Sequence, residues 1–226
     1  MDKDNLQRIM KLIKPTDKVL DVGGWEWSFR RANAVIDCKP YVTRGDQGYS
    51  DDSLDCFNFN LFGHHFNLWL QQDACATWPI KDKLFDLVIT SHILEDVRDP
   101  LAICHEMNRV AKSGYIVFPN MITELQRSKD VNVQKYPDHL GFWHHRWLIH
   151  YDQTENNLWF FPKLPILMIE PRIQKLEWPY IKYDNVAIYW ESRINYTEPI
   201  FYELESYIQA ILEFNDEAWK KREINE

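Results

Sequence analysis

Lys18-Val-Leu-Asp-Val-Gly-Gly-Trp25 is the stretch that decides the fold. Val19, Leu20 and Val22 make a short apolar strand, Asp21 puts an acid at its end, and Gly23 and Gly24 turn the chain just past it. In open α/β sheets, ligands sit outside the carboxyl ends of the strands. A glycine turn after the first strand lets backbone approach a nucleotide-like ligand. Ala34-Val-Ile-Asp37 repeats the form: an apolar strand ending in an acid. A carboxylate there can accept hydrogen bonds from a ribose diol. Two such strands in succession point to an adenosine-containing cofactor.

Working outward, residues 4–14 read as a helix, with Leu6, Ile9, Met10 and Ile13 on one face. The crossover Gly24–Asn33 is too short for a full helix, so one turn or an irregular loop is expected there. Residues 41–66 show no clear period and read as a surface insertion, with His64-His65 as a loop feature. Asn67–Gln72 is a candidate third strand, and Phe85-Asp-Leu-Val-Ile-Thr90 a buried one. Asp99 and Pro100 open a helix as N-cap and first residue, and Lys112-Ser-Gly114 closes it. Tyr115–Phe118 is the next strand. Strand and helix thus alternate, the pattern of a parallel sheet with covering helices. Further on, Leu158–Phe161, Ile166–Ile169 and Val186–Trp190 read as strands. Pro199 starts a helix running to about Lys221, with Tyr202, Leu204, Ile208, Ile211 and Leu212 mostly inward. No internal repeat or low-complexity linker occurs, so residues 1–226 are expected to form one domain. Residues 1–120 would be its cofactor-binding core, and 121–226 the acceptor-binding and sheet-completing part.

Composition narrows the function. The net charge of −8 argues against nucleic acid, which requires basic stripes to neutralise phosphates. Ten Trp, eleven Tyr and twelve Phe are many for 226 residues, and much of the excess lies after Trp143, so that part packs around rings or offers them to a ligand. Cys38, Cys56, Cys75 and Cys104 form no CxxC pair, which argues for reduced thiols in a cytoplasmic protein rather than a zinc knot. The polar start Met-Asp-Lys-Asp-Asn is no signal peptide, and no apolar run reaches the roughly 20 residues that span a bilayer.

Three ordered segments resemble the class I S-adenosylmethionine-dependent methyltransferases. They are Val19-Leu-Asp-Val-Gly-Gly24, Asp73-Ala-Cys-Ala-Thr-Trp-Pro79 and Phe85-Asp-Leu-Val-Ile-Thr-Ser-His-Ile-Leu-Glu-Asp96. The last continues into Asp99-Pro-Leu and Glu106-Met-Asn-Arg-Val-Ala-Lys-Ser-Gly114. The resemblance implies a Rossmann-like, doubly wound α/β sheet of about seven strands, elaborated after the core by an aromatic-rich C-terminal part. It implies S-adenosylmethionine as cofactor. Asp21, Gly23 and Gly24 match the positions that hold its amino acid end, Asp37 the ribose ligand, and Asp73 with Ala74 the adenine contact. Ser91 and His92 match the residues that line the reactive side. The chain departs from the family pattern Asp-x-Gly-x-Gly-x-Gly, because Trp25, Glu26 and Trp27 follow Gly24. Trp25 or Trp27 is placed where a backbone wall is usual. Gly-Gly-Trp, with Gly141-Phe-Trp-His-His-Arg-Trp147, resembles a variant bacterial subgroup that modifies small molecules.

Methyl transfer to a hydroxyl or an ammonium requires a base, a role histidine suits near neutral pH. His139, His144, His145 and His150 cluster with Arg146 and Trp147 after the core. In this fold, segments after the fifth strand commonly cover the acceptor. His144 or His145 is therefore the candidate base, and Arg146 the group that holds an anionic or polar part of the acceptor. Adjacent histidines point different ways and no HxxxH spacing occurs, so no metal site is expected. Glu124 and Arg127 point either into the acceptor pocket or to solvent. Glu95 and Asp96 are expected to cap the following helix. Trp78 covers the adenine or sits in the core. The expected partner is a small-molecule acceptor, with no nucleic acid, no membrane and a homodimer allowed. Two alternatives stay open: a peptide or protein side chain as acceptor, and a cofactor-binding partner subunit without catalysis.

Overall fold

The computed structural model describes residues 3–25, 28–29, 31–43, 60–61, 64–65, 68–127, 139–179 and 185–225. They form two compact units. One holds residues 1–118 and 187–196, the other 119–186 and 197–226.

The first unit is built on a six-stranded sheet. Its strands are β1 (Val19–Val22), β2 (Ala34–Asp37), β5 (Leu68–Gln71), β6 (Phe85–Ser91), β7 (Ala111–Pro119) and β10 (Asn185–Glu191), in the order β10-β7-β6-β1-β2-β5. The pairs β1/β2, β1/β6, β2/β5 and β6/β7 are parallel. At the far edge Trp190 lies beside Gly114, and Ser192 N–H donates to the Lys112 carbonyl, so β10 runs antiparallel to β7. The chain winds outward from β1 through β2 to β5, then returns to β6 on the other side of β1. That reversal is where doubly wound sheets bind ligands. A two-residue hairpin, β3 (Asn60–Leu61) with β4 (His64–His65), stands apart from this sheet. His64-His65 are thus strand rather than loop residues.

Strands buried on both faces must be apolar throughout. Val19, Leu20, Val22, Val35, Ile36, Val88 and Ile89 are fully buried. Helix α1 (Lys3–Leu12) presents Ile9 to the core that Val19, Val35, Leu87 and Val117 share. The short crossover to β2 has no helix among its described residues, as its length requires. Asn33 closes it, its side chain accepting from Val19 N–H at 2.6 Å and its own N–H donating to the Val19 carbonyl at 2.7 Å.

Helix α2 (Pro100–Val110) starts as expected, with the Asp99 carboxylate accepting from Ala102 N–H at 2.9 Å. Its end differs. The chain passes from Val110 straight into β7 at Ala111, so Lys112-Ser-Gly114 is strand, not helix stop. Gly114 is required by packing instead, because the Trp190 indole occupies the space a Cβ would fill. Trp78 is a core residue, 2% exposed, its N–H held by the Glu106 carboxylate.

The second unit holds helix α3 (Met121–Leu125), the antiparallel pair β8 (Trp147–Asp152) and β9 (Asn157–Pro162), the short helix α4 (Pro171–Gln174) and helix α5 (Leu204–Asn225). Its core joins Met121, Leu125, Leu140, Leu148, Leu167, Ile173, Tyr207, Ile208 and Ile211. The stretch expected as a strand at Ile166–Ile169 forms a 3₁₀ turn over Pro165–Met168. Pro165 lacks the N–H that a strand ladder requires, and suits the first position of a helical turn. The C-terminal helix starts at Leu204 rather than Pro199, which leaves Tyr202 92% exposed. The inward expectation holds for Ile208 and Ile211 and fails for Tyr202 and Leu204. No described helix is long and apolar enough to cross a membrane.

Candidate functional site

The carboxyl ends of β1, β2 and β6 are built from backbone held by acids. Asp21 is 5% exposed and accepts from Phe29 N–H at 2.6 Å, folding the chain after Gly24 back onto the strand end. Burial pushes its carboxyl up to about 7; the Phe29 N–H opposes this rise and the nearby charge of Asp37 adds to it. Gly23 has φ +76, and a Cβ there would run into the Ile93 side chain. A Cβ on Gly24 would meet the Asp21 carboxylate. Both glycines are therefore needed for the turn. Gly23 N–H donates to the Ile36 carbonyl at 2.8 Å, which ties the turn to β2.

Asp37 is 6% exposed and braces the same turn. One carboxylate oxygen accepts from Trp25 N–H at 3.0 Å, the other from Lys39 N–H at 2.7 Å. Each oxygen keeps a second acceptor position for a hydroxyl. The Trp25 indole is directed away to the Thr43 hydroxyl at 3.1 Å, with Lys39 Nζ 5.5 Å from its ring centre. Trp27 lies outside the described residues. Asp73 is exposed, accepts from Cys75 N–H at 2.8 Å and faces Arg98 at 3.5 Å. Ala74 accepts the Trp78 indole N–H through its carbonyl.

The end of β6 carries polar atoms that lack partners. Thr90 Oγ1, Ser91 Oγ and both Glu95 carboxylate oxygens are buried with no hydrogen bond among the described residues. Glu95 is 1% exposed, and His92 Nδ1 stands 3.3 Å from it without forming a hydrogen bond. His92 adopts φ +56, the left-handed region a non-glycine residue seldom enters. Glu95 is no helix cap, since Asp99 does that. A buried carboxylate without donors is costly, and its oxygens call for a donor from a bound molecule or water. Sequence reasoning missed Glu95 because its place between Leu94 and Asp96 gave no sign of full burial.

In the second unit His145 Nδ1 lies 2.8 Å from Glu124 Oε1, and Lys163 Nζ 2.7 Å from Glu124 Oε2. These side chains are 7%, 1% and 2% exposed. Glu124 is thus buried and paired rather than solvent-facing. Burial pushes its carboxyl up, but the His145 hydrogen bond and the Lys163 charge outweigh that and hold it below the ordinary range. Burial likewise pulls Lys163 below its ordinary value, only partly offset by Glu124. His144 is exposed, its ring 4.5 Å from the His145 ring and 5.6 Å from Trp143. Arg146 is also exposed. Arg127 sits on an isolated bridge to Leu140 and is exposed.

Residues 49–118 match the model of a methyltransferase domain. That segment takes in β5, β6 and α2 and most of β7. Among solved structures, the chain is similar to a SAM-dependent methyltransferase from Aquifex aeolicus, with 17% identity, 51% of this chain and 64% of that one covered, and a TM-score of 0.38. It is also similar to one from Methanosarcina mazei, with 17% identity, coverage of 65% and 72%, and a TM-score of 0.41. One from Mesorhizobium loti gives 13% identity, 53% and 55% coverage, and a TM-score of 0.37. The chain spans 50 to 64% of the length of the first structures it matches. No curated protein matches it.

The residues present fit S-adenosylmethionine. The glycine turn leaves no room for side chains, Asp37 keeps acceptor capacity for a ribose, and the β6 end offers unsatisfied hydroxyl and carboxylate oxygens.

Proposed function

We propose that this methyltransferase moves a methyl group to an oxygen or nitrogen atom of a small polar acceptor, such as a sugar or a natural-product intermediate. The observation that carries the reading is the convergence of Asp21, Asp37 and the unsatisfied oxygens of Ser91 and Glu95 at the carboxyl ends of β1, β2 and β6. S-adenosylmethionine, when bound, supplies an electrophilic methyl group on a sulfonium. Asp37 would hold the ribose hydroxyls, Asp21 with Gly23, Gly24 and Trp25 the amino acid end, and Asp73 with Ala74 the adenine. Ser91 and His92 would line the reactive side. His145, or His144 beside it, takes the proton that the acceptor's O–H or N–H gives up, and Arg146 holds a polar or anionic part of the acceptor. The net charge of −8 favours a small acceptor over nucleic acid.

The shortened glycine turn supports a second reading, a cofactor-binding subunit without catalysis. Calorimetric titration with S-adenosylmethionine and S-adenosylhomocysteine, against NADH as control, separates these. Micromolar binding of the first two, with turnover in an acceptor screen that falls in His145→Gln, supports the enzyme. Binding without any acceptor supports the subunit. Failure to bind either cofactor form refutes the cofactor site.

A further inference from the structure

Among the described residues of the first unit, Glu95 is the buried carboxylate with neither oxygen hydrogen-bonded. The other buried acids there are satisfied. Asp21 accepts from Phe29 N–H, Asp37 from Trp25 and Lys39 N–H, and Glu106 from Trp78 N–H and the Arg109 guanidinium. The ionisable group against Glu95 is His92, with Nδ1 3.3 Å from Oε1. The His92 side chain is 40% exposed and Glu95 1%, so the pair exchanges a proton with water only through the histidine.

The turn that carries both residues is fixed in place. His92 N–H donates to the Val117 carbonyl at 2.9 Å, and the Asp96 and Val97 N–H groups to the Ile93 carbonyl at 3.0 and 3.2 Å. His92 adopts its left-handed φ of +56 within it. The Ile93 side chain fills the space that a Cβ on Gly23 would take, so this turn packs on the glycine turn after β1. Leu94 is fully buried and anchors Glu95 from the other side in sequence.

A buried carboxylate without donors costs stability, and a positive charge brought by a ligand offsets that cost. On the reading above, the glycine turn takes the cofactor's amino acid end and Asp37 its ribose. The sulfur of S-adenosylmethionine joins these two parts and carries a unit positive charge. In S-adenosylhomocysteine, the product, the same sulfur is neutral. Charges act across several ångströms where water is excluded, so Glu95 acts on the sulfur without touching it.

We propose that Glu95 is a buried counter-charge for the sulfonium, and so a specificity residue that favours the methyl donor over the spent product. The proposal rests on the cofactor site of the reading above and goes beyond it by assigning that discrimination to one side chain. In the empty site a proton held by the His92–Glu95 pair keeps it neutral. The sulfonium takes over that role, and the proton leaves through His92.

Calorimetric titration of the wild type, Glu95→Gln and Glu95→Met with S-adenosylmethionine and with S-adenosylhomocysteine tests this, because the two ligands differ by one methyl group and one charge. Affinity for S-adenosylmethionine is expected to fall roughly 10-fold in both variants, the scale of one unit charge acting through partly buried surroundings, while that for S-adenosylhomocysteine stays within about twofold. The melting temperature without ligand should hold or rise in Glu95→Met, since no hydrogen bond is lost and a buried charge is removed. A carboxylate with a structural role gives the opposite pattern, a lower melting temperature and an equal loss of both affinities, and that result overturns the proposal. Both affinities unchanged in the variants also overturns it. If Glu95→Gln does not fold, Glu95→Met carries the same comparison; if neither folds, Glu95 is structural and the proposal fails. A wild type that binds neither ligand refutes the cofactor site and this proposal with it, whereas a wild type that binds both, with equal losses in the variants, refutes the counter-charge alone.

Discussion

The strand-end acids of the first unit and the central acid of the second are buried in opposite ways. In the first, Asp21 and Asp37 sit at strand ends and are satisfied by backbone N–H groups within about a dozen residues of themselves. In the second, Glu124 is satisfied by side chains 21 and 39 residues away, both ionisable. Backbone partners come with the turn and cannot be mutated away. Side-chain partners carry charge, so removing one leaves the other stranded.

The difference is sharpest on stability. Glu124→Gln leaves Lys163 as a buried cation without a counter-charge, and is expected to cost about 3–5 kcal/mol. Adding Lys163→Met should restore most of the loss, because the cluster is neutral again. Urea midpoints of the three variants check this. A loss below about 1 kcal/mol in Glu124→Gln would mean the cluster behaves like an exposed pair.

Asp21 gives the opposite sign in pH. Its carboxyl is raised to about 7 by burial, so the folded state holds a proton that the unfolded state releases near 3.8. Stability from this group is complete below pH 4, falls as pH rises to about 7, and is flat beyond. The difference is on the order of 4 kcal/mol. Asp21→Asn should remove this slope between pH 5 and 7, seen as the difference between the two proteins' denaturation curves. The lowered carboxyls of Asp86, Glu106 and Glu124 act at lower pH and with the reverse sign. An unchanged slope in Asp21→Asn would place the proton elsewhere.

This contrast also explains what was legible in the sequence. Val-Leu-Asp-Val-Gly-Gly and Val-Ile-Asp are local: strand, acid and turn lie next to one another, so the strand-end places of Asp21 and Asp37 could be read in advance, while the doubly wound order was implied by the family resemblance. The cap at Asp99 was legible for the same reason. The link between Glu124, His145 and Lys163 was not, because it depends on Gly141 allowing close approach across the turn, and a single glycine does not announce what packs on it. Glu95 was misread as a cap because burial, not spacing, distinguishes it from Asp99. Ile166–Ile169 failed as a strand through Pro165, and Gly114 was misread as a helix stop because Trp190, far along the chain, claims its space.

Within the first unit, burial grades the acids. Asp37→Ala removes the acceptor of two N–H groups and, on the proposed reading, the ribose contact together. Cofactor affinity is expected to fall roughly 10- to 100-fold, the range of one or two charge-assisted hydrogen bonds, measured by calorimetry. Unchanged affinity sinks the ribose assignment.

Asp73 is the mildest case and the one that tests the grading itself. Its side chain is 58% exposed and its partners are one N–H and Arg98 at 3.5 Å. A hydrogen bond made in that setting competes with water, so its net worth is small beside that of a buried one. Asp73→Ala is therefore expected to weaken cofactor binding several-fold, by less than about tenfold, with little change in stability. Arg98→Ala should leave affinity nearly unchanged, since the ion pair is long and screened. If Asp73→Ala instead costs as much as Asp37→Ala, the cofactor must shield Asp73 from water when it binds. The exposure seen without the cofactor would then be the wrong measure of that position, and the grading by burial would hold only for acids already enclosed by backbone.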